Sequence, residues 1–141
     1  MKHTLHKGFT LIEVILVIAL VGVLSMVMIS IINPPQQFKK ARDVERKSDL
    51  RQIQAALELY RSDNSAYPAT LPNCDGALTG ANGAEYLKTL PCDPKEISTK
   101  YLYTIVGNGY SLTACLENLK ETLPTGTPCD TSHKVYTVTN P

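Results

Sequence analysis

Hydrophobic and polar positions divide the 141-residue chain very unevenly. From Leu11 to Ile32 runs a nearly unbroken apolar block, interrupted only by Glu13, Gly22, Ser25 and Ser30. At 1.5 Å rise per residue it predicts a helix about 33 Å long, the thickness of one hydrocarbon core. Asn33-Pro34-Pro35 then ends or kinks that helix, because proline removes a backbone donor and restrains its predecessor. A helical pattern resumes at Gln36 and continues to about Ser62. Leu50, Ile53, Leu57 and Tyr60 form a stripe suited to packing on a sheet, and Phe38, Ala41 and Val44 form a thinner one upstream.

Beyond residue 62 the pattern changes to short runs between turn formers. Ala84 to Leu90 reads as a short helix. Tyr101–Val106 and Tyr110–Cys115 read as strands joined by Gly107-Asn108-Gly109, a hairpin signal, and Lys134–Thr139 as a third strand. The expected class is α+β, with a long N-terminal helix and a small antiparallel sheet of three or four strands packed on its second half.

Charge changes this picture little. With 14 Lys+Arg against 13 Asp+Glu, no broad basic surface for nucleic acid is implied. The charged run Lys39 to Arg51 mixes both signs and reads as a solvated helix face or subunit contact, with Asp43 and Lys47 at a favourable spacing. Lys2 and Lys7 precede the apolar block, which predicts a cytoplasmic N-terminus and a C-terminal part outside. A cleaved secretory signal fits poorly, because the apolar run is long and lacks an Ala-x-Ala site. Glu13 is the costly residue, since an acid within a spanning helix is tolerated only near an end or for a function.

Gly8-Phe9-Thr10-Leu11-Ile12-Glu13, followed by a long apolar helix, resembles the prepilin signature of type IV pilins and type II secretion pseudopilins. The resemblance implies a pilin-like fold with residues 1–8 as a leader, 9–33 as the transmembrane and filament-core helix, 34–62 as the second half of the long helix, and 63–141 as the head. It also implies cleavage between Gly8 and Phe9 by a membrane-embedded prepilin peptidase. That enzyme would then methylate the new Phe9 amine. Glu13 would be the assembly acid, pairing with the Phe9 amine of a neighbouring subunit. Loss of Lys2 and Lys7 would leave 12 basic residues against 13 acidic ones. Leu90-Pro91-Cys92-Asp93-Pro94 with Tyr101 and Tyr103 also resembles major pseudopilin heads.

Cys74, Cys92, Cys115 and Cys129 all fall in the expected outer part, with no Cys-x-x-Cys spacing and only His133 to complete a zinc site. They read as two disulfides in a head short of core, each contributing about 3 kcal/mol. Three pairings are open. Cys74–Cys92 with Cys115–Cys129 closes the shortest loops and is favoured, and a disulfide around a C-terminal loop is also a pilin feature. Calcium is disfavoured. The acids from Asp93 onward (Glu96, Glu117, Glu121, Asp130) form no ordered Asp-x-Asp cluster. No cofactor is expected.

No paired carboxylates or nucleophile motif supports an enzyme. The expected function is a structural subunit, polymerised through its N-terminal helix into a type II secretion pseudopilus. A pilus pilin for adhesion, twitching or DNA uptake is the alternative, and a membrane-tethered binding module that never polymerises is a remote third. Expected partners are the prepilin peptidase, further copies of the chain, membrane lipid, an inner-membrane platform and its assembly ATPase. Nucleic acid is not expected as a direct partner.

Overall fold

The computed structural model describes residues 8–32, 34–96 and 99–140. Two compact units divide after Gln37, and each is described by itself. The first contains helix α1, Leu11–Ile32, which buries none of its described side chains. Helix α2, Pro34–Asn64, starts two residues earlier than its polar pattern predicts. Proline fits a first helical turn, where its missing N–H has no partner to lose. Asn33 lies outside the described residues. At the far end Asn64 Nδ2 donates to the Tyr60 carbonyl, and Ser65 takes a left-handed φ of 61° that stops the helix.

Among the described residues the second unit, the head, has five strands: β1 Leu78–Thr79, β2 Glu85–Leu87, β3 Leu102–Val106, β4 Gly109–Leu116 and β5 Lys134–Thr139. β3, β4 and β5 form an antiparallel sheet in that order, and β1 pairs with β2 as a separate ribbon. β2 stands where a short helix was expected. Seven residues are few to nucleate a helix. The turn closed by Gly83 N–H on the Gly80 carbonyl instead folds the segment back on Leu78, burying both Leu78 and Leu87. β3 and β4 are joined by a two-residue turn, with Gly107 at φ 59° and Asn108 not left-handed. That is the type II′ geometry, which needs glycine first. Gly109 belongs to β4 itself, and any Cβ there would overlap the Asn140 side chain.

Leu50, Ile53, Ala56 and Leu57 of α2 share one core with Tyr110, Leu112 and Ala114 of β4, closed by Leu71, Leu78, Leu87, Leu90 and Tyr101. Period 3.6 on the helix and period 2 on the strand each supply one apolar face. The thinner stripe does the opposite of what its spacing suggested: Phe38 and Val44 are 65% and 67% exposed. The inward face continues upstream from Leu50 through Arg46 and Asp43 instead.

Tyrosines supply much of the remaining packing, and α2 carboxylates receive their hydroxyls. Tyr101 donates to Asp49 (2.6 Å), Tyr110 to Glu58 (3.2 Å) and Tyr86 to Asp63 (3.0 Å). Tyr67 meets Tyr110 edge to face, with ring centroids 4.8 Å apart. Burial and the neighbouring acids raise the Tyr101 and Tyr110 phenols well above their ordinary range. Burial alone is the largest cause of the rise at Asp49, which the Tyr101 hydrogen bond partly offsets.

Candidate functional site

Two places carry chemistry, one in each unit. In the first, residues 8–10 are not helical, and Thr10 caps α1. The Glu13 N–H donates to Thr10 Oγ1 at 3.3 Å, and the Val14 N–H to the Thr10 carbonyl at 3.3 Å. A hydroxyl residue before an apolar run, with an acid three positions on, is the capping-box spacing. Thr10 thus has a structural role that its place in the Gly-Phe motif did not disclose. The cap sets Glu13 in the first turn, where the amide dipoles favour a negative charge. Phe9 and Glu13 line one shallow hollow with Val14, Val17 and Ile18, so the acid and the aromatic residue stand on the same side.

A side chain added at Gly8 would meet nothing within 4 Å, so local packing does not demand glycine there. Leu11–Ile29 is long and apolar enough to cross a membrane. One polar interruption within it is cheap: Ser25 Oγ donates to the Val21 carbonyl at 2.8 Å, satisfying its hydroxyl within the helix.

The second place is a buried ionic anchor that corrects the solvated-face reading of Lys39 to Arg51. Arg46 is 3% exposed at its side chain and donates to three carboxylates. Nε and Nη2 reach Asp93 at 2.7 and 2.9 Å, and Nη1 reaches Asp43 at 2.8 Å and Glu117 at 3.0 Å. Arg42 grips Glu117 from the other side through Nε and Nη2, at 2.7 and 2.6 Å. Asp43 also accepts the backbone N–H groups of Glu117 and Asn118, at 2.9 and 2.8 Å. Lys47 pairs with Glu121 rather than with Asp43. No buried side-chain nitrogen or oxygen among the described residues lacks a partner, the condition under which a buried charge cluster is tolerable.

The two arginines hold the Glu117 carboxyl down at about 2, with the Arg42 hydrogen bonds the largest cause and burial opposing. At Asp93 burial acts to raise the carboxyl, and the hydrogen bonds from Arg46 and the Lys95 N–H outweigh it, leaving it below the ordinary range. Burial would lower the Arg46 guanidinium, but its three acids overcome this and raise it. The signal for the anchor lies in the helical spacing. Steps of three and four run back from Leu57 through Ile53 and Leu50 to Arg46 and Asp43, inside a run whose charges masked them.

Disulfides join Cys74 to Cys92 and Cys115 to Cys129, with Cα atoms 5.5 and 5.7 Å apart. The second closes the loop whose first residues the anchor already holds. Glu117, Glu121 and Asp93 are engaged by cationic side chains, and Asp130 accepts from Ser132 and His133. Among the described residues no three His, Cys, Asp or Glu side chains converge as a metal site.

Residues 4–29 match the prokaryotic N-terminal methylation motif, and residues 34–115 match the family described as type II secretion system (T2SS), protein G. The chain belongs to the type II secretion protein G family. Its similar proteins include the type II secretion system core protein G of Pseudomonas aeruginosa, 32% identical over 112 residues, covering 72% of this chain and 77% of the relative. The Klebsiella pneumoniae protein of that name is 35% identical over 99 residues (63% and 69% of the two chains). The Escherichia coli K12 protein is 33% identical over 98 residues (63% and 66%). No solved structure matches. Both resemblances read from the residues therefore point to one family. This pseudopilin is a structural subunit and not an enzyme. The family match takes in Arg42, Asp43, Arg46, Asp93 and Cys115, and ends before Glu117 and Cys129.

Proposed function

We propose that this pseudopilin is made as a membrane precursor, cut between Gly8 and Phe9, methylated at the Phe9 amine, and packed through α1 into a helical filament of a type II secretion system. The observation that carries this reading is the capped start of α1. It leaves the Gly8–Phe9 junction outside the helix, where a peptidase can reach backbone not tied up in helical hydrogen bonds, and sets Glu13 in the first turn. Gly8 is not needed by the fold, which supports a role in recognition by the processing enzyme. Cleavage removes Lys2 and Lys7 and creates an amine at the edge of an apolar helix. In a filament core of packed α1 helices that amine requires an anionic partner, and Glu13 of a neighbouring copy supplies it.

Before assembly α1 crosses the inner membrane with the leader in the cytoplasm and the head outside. A platform and an ATPase outside this chain supply the work of extraction. Intact-mass analysis of the sheared and envelope fractions of native cells tests the reading. A disulfide-bearing chain starting at methylated Phe9 and retained in the envelope is the expected result. The same species abundant in the sheared fraction would make this a surface pilin. A chain that keeps Met1 to Gly8 in secreting cells would overturn both. Glu13→Ala should leave the precursor inserted and abolish filament formation; normal assembly of that variant would remove the acid's role.

A further inference from the structure

The two edges of the head sheet are treated differently. The outer edge of β5 is covered: the Val135 N–H donates to the Pro124 carbonyl at 2.8 Å, Thr125 bridges to Lys134, and Gln54 Nε2 donates to the Thr139 carbonyl at 3.0 Å. The outer edge of β3 is not. Its turn closes on the pair Val106 and Gly109, so alternate residues of β3 point their N–H and C=O groups toward β4. Tyr103 and Ile105 point theirs away, and among the described residues no hydrogen bond takes them up.

Exposed edges are normally blunted by lysine, proline, a bulge or a covering loop. Leu102-Tyr-Thr-Ile-Val106 contains no such device and pairs with β4 without a bulge. It also exposes Leu102, Ile105 and Val106, at 47%, 45% and 62%. Beside this edge lies a shallow trough in two parts that meet at Ala69, walled by the segment around Tyr67 to Leu71. Tyr103 ties that wall to the strand, its hydroxyl donating to the Pro68 carbonyl at 2.8 Å. Among the described residues the charged side chains lining the trough are Lys100 in one part and Arg61 in the other, with no acid beside them.

We propose that β3 is a docking edge for an extended polypeptide segment that adds as a fourth strand and carries carboxylates for Lys100 and Arg61. The free ladder groups of Tyr103 and Ile105 dictate an extended backbone. The exposed apolar side chains favour alternate aliphatic residues, and the two cations set the charge of the ends. The site lies wholly in the head and stands apart from assembly through α1.

The test uses the full processed chain in detergent micelles and the probe peptide acetyl-EVTVTE-amide, followed by amide NMR. The Tyr103 and Ile105 amides should shift and gain exchange protection on titration. An analogue N-methylated at alternate residues cannot form the ladder and should bind at least about tenfold more weakly, the scale of one lost hydrogen bond. The same loss is expected for acetyl-KVTVTK-amide, and for Ile105→Pro, which removes an N–H that the β4 ladder does not use. The methylated probe needs no variant, so a folding defect in Ile105→Pro would leave the test intact. Equal binding of the methylated and unmethylated probes, or no response at the two amides, would overturn the proposal. So would a concentration-dependent dimer of the unliganded chain that Ile105→Pro abolishes, because the edge would then belong to a second copy. A filament defect in Glu13→Ala would bear on the assembly reading and leave this one untouched.

Discussion

At the scale of single residues, Arg46 does the most in the head. Its planar guanidinium spans three carboxylates from three parts of the chain, a geometry that lysine's single ammonium cannot reproduce. Arg46→Ala would take the cation from Asp43 and Asp93, leaving them only backbone N–H donors, and leave Glu117 to Arg42 alone, at an expected cost of about 3–5 kcal/mol by urea denaturation. Arg42→Ala should cost clearly less, because its side chain is 30% exposed and Arg46 still serves Glu117. The anchor also has a pH signature. Glu117 and Asp93 are held below their ordinary carboxylate values in the fold, so their stabilisation is present above the unfolded values. It should disappear as pH falls from about 4.5 toward about 2, the range between the ordinary glutamate value and that of folded Glu117. Asp49 acts in the opposite sense, its burial penalty fading on protonation, and so does not cause the acid loss. Unfolding midpoints measured across that range should fall in the wild type and fall clearly less in Glu117→Gln, where Asp93 alone of the two still contributes.

Among the elements, the loop after β4 is held by two independent means, the Cys115–Cys129 disulfide and the anchor at Glu117 to Glu121. Cys115→Ser with Cys129→Ser should cost about 2–4 kcal/mol. Hydrogen exchange would locate the change. Amides of residues 119–129 should lose protection, while those of Glu117 and Asn118 stay slow on the Asp43 carboxylate. Uniform loss across the loop would mean that the disulfide carries it alone. The core contact of β4 with α2 is a separate matter of packing. Leu112 is fully buried between them, and Leu112→Ala should cost about 2–5 kcal/mol.

For the molecule as a whole, each unit has its own solvent. The described side chains of α1 are exposed and mostly apolar, so lipid or other copies must cover them. The head has a contiguous core and needs no part of α1 to complete it. A chain of residues 34–141 should therefore be soluble and monomeric in gel filtration. Its unfolding free energy should match that of the head in the full chain in detergent to within about 0.5 kcal/mol. A molten or aggregated 34–141 fragment would show that the head depends on α1.

The amino-acid sequence alone made legible the apolar helix, the N-terminal methylation motif at its start, the lower stripe of α2 and the three strands of the main sheet. Each is a local matter of period, composition or turn chemistry, so each is written in consecutive residues. Two segments were misread. Ala84 to Leu90 became part of a ribbon because Leu78 offered its leucine a partner, and Phe38 and Val44 turned outward because buried charges took the inner face. Only the tertiary structure could decide these. Whether Arg46 is solvated or buried depends on carboxylates 47 and 71 residues away, and no local pattern encodes which distant acids will meet it. The same holds for the open edge of β3. A strand's sequence states its pleat, but which side goes unpaired is set by where β4, β5 and the covering loop end up.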